Sequence, residues 1–181
     1  MNPADMYLAF LRRHANNPDA KDEYVWGAEG GSDRDSDGVA EADCSGGFHA
    51  ALTRGAGLTD TRTTANGYMR RGVPISGPVT AGDFRVHLDS SGHATHIIMY
   101  VMNGQTVEWK GKDYGCVWDT VKNGHGPWFR IPSVNAALGT PTPTVPMMVG
   151  PPEWLWTTAP KGSKPWLLTA FALTRLARAW S

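Results

Sequence analysis

The sequence predicts an α+β fold in which helix comes first and an antiparallel sheet follows. Three observations carry this. "SGGFHAALTRGAG", Ser45 to Gly57, reads as a short helix closed by Gly55 and Gly57. From residue 84 onward the apolar residues come instead in short runs: "FRVHL", "HIIMYV", "GQTVEWK", "YGCVWDTV" and "WFRIP". Such runs, rich in β-branched and aromatic residues, are strand signals. Between the second and third stands Asn103-Gly104, a strong marker of a tight hairpin.

The other elements follow in chain order. Residues 3–16 predict a short helix, with Met6, Leu8, Phe10 and Leu11 apolar, Asp5 near the start and Arg12, Arg13 and His14 near the end. "NNPD" breaks the chain, and "EYVWG" leads into a glycine-rich acidic loop from Gly27 to Asp43. Residues 58–82, with Pro74, Pro78 and several glycines, read as loop. Composition changes near Leu138. Residues 139–165 hold seven of the thirteen prolines and predict a semi-rigid linker. Residues 166–181 predict a helix with Trp166, Ala170, Leu173, Ala177 and Trp180 on one side. Lys161, Lys164, Arg175 and Arg178 make this end basic, and no acid follows Glu153. The expected organisation is a folded domain over 1–138, a linker over 139–165 and a basic amphipathic helix over 166–181.

At 181 residues and 41% hydrophobic, the chain can bury a real core. Its formal net charge of zero gives no global reason to expect nucleic-acid binding. Two cysteines, Cys44 and Cys116, do not make a disulfide framework, so a reducing compartment of synthesis is expected. The N-terminal residues have no uninterrupted apolar core of a secretory signal, and no stretch approaches the roughly 18 apolar residues of a membrane span. Cytoplasmic synthesis without a signal peptide, as a monomer, is expected.

The chemistry concentrates in "DRDSDGVAEADCSGG", Asp33 to Gly47. Cys44 sits where a helix begins, between Asp43 and Ser45. A helix start and a nearby imidazolium both favour thiolate, the form that attacks a carbonyl. Of six histidines, His49 lies five residues on in the same helix and faces elsewhere. His14 and His125 fall in surface segments. His96 opens the "HIIMYV" strand, a rigid place for a base, and His93 lies nearby as its rival. If Asn103-Gly104 turns the chain, Glu108 comes beside His96. It can then hold the imidazole tautomer.

In this order, "EYVWGAEGG", "ADCSGGFHAAL", "AGDFRVHL" and "HIIMYVMNGQTVEWKG" resemble the NlpC-type papain-like cysteine peptidases of bacterial cell walls. The matching features are Tyr-x-x-Gly, Asp-Cys-Ser-Gly, Gly-Asp before a strand, and His opening an apolar strand that ends in Tyr. They span residues 22–130. The resemblance implies a papain-like domain, with a nucleophile helix packed on an antiparallel sheet. It implies Cys44 as nucleophile, His96 as base and acid, and Glu108 as orienting residue, where the family usually has His, Asn or Gln. It implies Tyr24 near the catalytic centre and Asp43 and Ser45 lining the substrate pocket. The backbone N–H of Cys44 would help hold the oxyanion. The implied substrate is peptidoglycan, cut at a stem-peptide amide. The size, the missing signal and the basic tail suggest a phage endolysin acting on the wall. The basic helix would meet anionic wall polymer or membrane. A wall-binding virion or tail protein and a papain-like acyltransferase are the competing readings.

Asp33, Asp35 and Asp37 occupy positions 1, 3 and 5 of a D-x-D-x-D-G loop, with Gly38 at 6, the Val39 carbonyl at 7 and Glu41 at 9. Position 12, normally a bidentate Glu, is Cys44. A structural Ca2+ is expected here, stiffening the loop that delivers the nucleophile.

Overall fold

The computed structural model describes residues 1–15, 22–33 and 36–139. Residues 140–181, which carry most of the expected linker and all of the basic helix, lie outside the described residues. Helix α1, Pro3–Ala15, forms where its periodicity predicts. The Asn2 side-chain oxygen accepts the Asp5 N–H at 2.8 Å, and Pro3 supplies a helical φ at the first turn. The helix buries Tyr7 and Leu11.

Three short strands then surround the start of the next helix. β1, Glu23–Tyr24, runs parallel to β3, Glu41–Ala42. β2, Glu29–Ser32, lies antiparallel on the other side of β3. Helix α2, Cys44–Ala50, follows β3 directly and passes into a π-helical turn, Ala51–Gly55, closed by the Ala56 N–H on the Ala51 carbonyl.

The segment read as loop holds two elements. Helix α3, Ala65–Arg71, is capped by the Thr64 hydroxyl, which accepts the Gly67 N–H. At seven residues it is too short for a clear period. Strand β4, Val73–Ile75, contains Pro74 and stands at the sheet edge, where proline is tolerated.

The main sheet adds β5 (Phe84–Leu88), β6 (Ala94–Tyr100), β7 (Gln105–Trp109), β8 (Cys116–Thr120) and β9 (Trp128–Arg130). Its order is β4-β9-β5-β6-β7-β8 and every pairing is antiparallel. Asn103 (φ 51°) and Gly104 (φ 75°) both take the left-handed conformation that primed hairpin turns require. Helix α4, Pro132–Ala137, ends the described chain. The architecture is α+β, as expected.

Helix α2 packs on this sheet at very short range. A Cβ on Gly47 would stand 2.1 Å from the Trp109 ring, and one on Gly46 would stand 2.0 Å from the Ala28 carbonyl. Phe48 meets Tyr68 edge-on at 4.8 Å and Phe84 at 5.1 Å, within a fully buried cluster. Near the end of the sheet Arg130 forks onto buried Asp83, with Nε at 2.7 Å and Nη2 at 2.6 Å. The Asn135 amide of α4 donates to the same carboxylate at 2.9 Å. Among the described residues no helix is long and apolar enough to cross a membrane.

Candidate active site

Cys44 is the first residue of α2, and Asp43 is its N-cap. One Asp43 carboxylate oxygen accepts the Gly46 N–H at 2.6 Å and the Ser45 hydroxyl at 2.9 Å. The other accepts the Gly27 N–H at 3.0 Å and an Arg62 guanidinium N–H at 2.8 Å. Arg62 also donates to the Ala28 carbonyl at 3.1 Å. The Asp43 carboxylate is thereby committed to fixing the turn that presents the thiol. Asp43 and Ser45 are both buried, so they sit behind the nucleophile more than along an open pocket wall.

Tyr24 reaches the thiol through β-pairing. The parallel register sets Tyr24 beside Ala42, two residues before Cys44. Its hydroxyl lies within hydrogen-bonding reach of the sulfur. Burial, then the negative charge of Cys44 and Asp43, pushes the phenol up to about 12. Tyr24 therefore stays a hydrogen-bond donor at neutral pH.

His96 comes from the neighbouring sheet. The β6–β7 register pairs Met99 with Val107 and Tyr100 with Thr106, which puts Glu108 diagonally across from His96. His96 Nε2 and Glu108 Oε2 are 2.6 Å apart, and the carboxylate is buried. Nδ1 is then the nitrogen left for Cys44, within whose hydrogen-bonding reach the ring lies. Burial alone would drive the imidazole toward neutrality. The hydrogen bonds and negative charge of Cys44 and Glu108 outweigh burial and push it up to about 9. The arrangement is a thiol, an imidazole disposed to carry a proton, and a carboxylate that orients it.

The rival and remaining histidines go elsewhere. His93 is largely exposed in the β5–β6 turn, with Nδ1 3.7 Å from Asp89. His49 faces the Asp60 carbonyl at 3.3 Å. The surface expectation for His14 is corrected, since its Nδ1 meets the buried Asp22 carboxylate at 2.8 Å, whereas His125 is exposed as expected and stacks on His87 at 4.2 Å. Sequence periodicity does not register contacts made by irregular segments. Cys116 is a free thiol paired opposite Trp109 in β8, and burial pushes its titration upward.

The acidic loop is partly described. Asp33 accepts the Asp37 N–H at 3.1 Å and the Gly38 N–H at 2.8 Å, and Asp37 accepts the Val39 N–H at 2.8 Å. Asp35 lies outside the described residues. Glu41 is buried in β3 rather than standing in the loop. Among the described residues no three His, Cys, Asp or Glu side chains converge as metal ligands.

No family model and no curated protein matches the chain. Solved structures do. The NlpC/p60 domain of the peptidoglycan hydrolase SagA aligns over 70% of this chain and 97% of its own, at 18% identity and TM-score 0.52. The fold is that of an NlpC/p60 domain. NlpC1 and NlpC2 from Trichomonas vaginalis align over 71% of this chain, at TM-scores of 0.53 and 0.52 and identities of 21% and 23%. The alignment takes in 44% and 46% of those two longer chains.

Within this NlpC/p60 fold, three contributions escaped sequence reasoning. Arg62 holds the cap from a loop with no distinguishing pattern. Trp109 presses on Gly47 of α2. Arg85 and His87 approach His96 only because β5 pairs with β6.

Proposed function

We propose that this chain hydrolyses an amide of bacterial peptidoglycan through Cys44, His96 and Glu108. The observation that carries the reading is His96, 2.6 Å from a buried Glu108 and within reach of a thiol at a helix start. The Cys44 thiolate attacks the amide carbonyl. The Cys44 N–H, which has no acceptor inside its own helix, and the Tyr24 hydroxyl receive the oxyanion. His96 gives its proton to the departing amine. Neutral His96 then takes a proton from water, which attacks the thioester and returns Cys44 to thiolate. The likeness in fold to a domain of a named peptidoglycan hydrolase supports the choice of substrate.

The finer parts of the proposal rest on sequence. The chain acts as a phage lysin, made in the host cytoplasm and delivered to the wall. Its basic C-terminal segment binds anionic wall polymer or membrane. A calcium ion on the Asp33–Asp37 loop stiffens the approach to Cys44.

Dye release from labelled peptidoglycan tests the reading. Wild type should release dye, and Cys44→Ala should fall at least about a thousandfold. Equal release by both proteins would overturn it. A chelator arm tests the ion: loss of melting temperature and activity together is expected, and identical values with and without chelator would remove calcium from the account.

A further inference from the structure

Beside the His96–Glu108 pair lies a cavity of about 410 Å3. Arg85, His87, His96, Glu108, Lys110 and Asp119 line it, and Cys44 does not. Its charges do not balance. His96 pairs with Glu108, and Lys110 stands 3.5 Å from Asp119 and 3.7 Å from Glu108. Arg85 has no carboxylate partner among the described residues. It is only 6% exposed, its Nη2 donates to the Val121 carbonyl at 2.9 Å, and its Cζ lies over the Trp128 ring, 4.5 Å from the centroid. Its Nε and Nη1 are buried without any acceptor, as is Nε2 of His87. His87 stands opposite His96 across the β5–β6 pairing and stacks on His125.

A buried guanidinium without a counter-charge is costly, and a fold keeps it where something else supplies one; His87, which burial pushes down to about 4 and so leaves neutral, adds an unmatched ring nitrogen beside it. We propose that this cavity is a carboxylate subsite, in which Arg85 and His87 bind a free carboxylate on the amine-side residue of the substrate. The side follows from the lining. The cavity adjoins the proton donor and not the sulfur, so what fills it belongs to the departing amine. This assignment rests on the hydrolase reading for its orientation. The anion site itself rests on Arg85 and His87 alone.

The test uses two synthetic stem peptides, identical except that the amine-side residue carries a carboxylate or a carboxamide. Their affinities for the full-length Cys44→Ala chain are measured by calorimetry. The carboxylate peptide should bind at least about tenfold more tightly, the scale of one charge-assisted hydrogen bond. With Arg85→Met added, that ratio should fall to about one, and with Arg85→Lys to an intermediate value. In the chain that keeps Arg85, its Nε–H resonance should move with the carboxylate peptide and stay with the carboxamide. That measurement stands even if a variant fails to fold. A ratio of one in the parent, an unchanged ratio in Arg85→Met, or a still Nε–H resonance would overturn the subsite. If wild type cleaves neither peptide but the ratio and resonance behave as stated, the hydrolase reading fails and the anion site stands.

Discussion

At the residue scale, activity depends on which groups carry protons. His96 is held above its ordinary value of 6.5, at about 9. A raised folded-state value means that its stabilising contribution is complete below about 6.5 and is lost as pH rises through about 9. The proton donor disappears over the same upper range, so kcat/KM should fall on the alkaline side near pH 9. Glu108→Gln removes one of the two charges that hold the proton, and its alkaline limb should move to lower pH. A pH–rate profile of both proteins checks this, and an unmoved limb would remove Glu108 from the role. Asp43 is tested by stability. Asp43→Ala should lose about 1–2 kcal/mol for the helix cap, with further loss from the stranded Arg62, read by urea denaturation.

At the element scale, α2 and the β6–β7 hairpin do most of the positioning. Gly47 lets α2 approach Trp109 more closely than any side chain would permit. Gly47→Ala should cost about 1–3 kcal/mol and lower kcat as the thiol shifts away from His96, measured by thermal melting and turnover. Much of this scale was legible in the sequence. Asn103-Gly104 gave the turn, the turn gave the register, and the register brought Glu108 to His96. Asp-Cys-Ser-Gly gave the helix start. Other parts were not legible. Helix α3 is too short to leave a period, and Pro74 masks an edge strand. Arg62 and Arg85 act through partners 19 and 36 residues away, at separations that no local pattern encodes.

At the scale of the whole molecule, the far end of the sheet is tied by a buried ion pair rather than by apolar packing alone. Asp83 joins β5 to β9 through Arg130 and to α4 through Asn135. Asp83→Ala leaves a buried guanidinium beside Pro78 and Thr80 and should cost about 3–5 kcal/mol, read by chemical denaturation. The pair lies away from the thiol, so kcat of the folded fraction should change far less than stability. The claim that joins all three scales is that this molecule opens a wall amide with Cys44. It is tested most directly by digesting purified peptidoglycan with wild type and Cys44→Ala and reading the products by mass spectrometry. New amino and carboxyl ends are expected from wild type alone, at one type of stem-peptide amide. The same ends from both proteins, or none from wild type on several wall types, would contradict it.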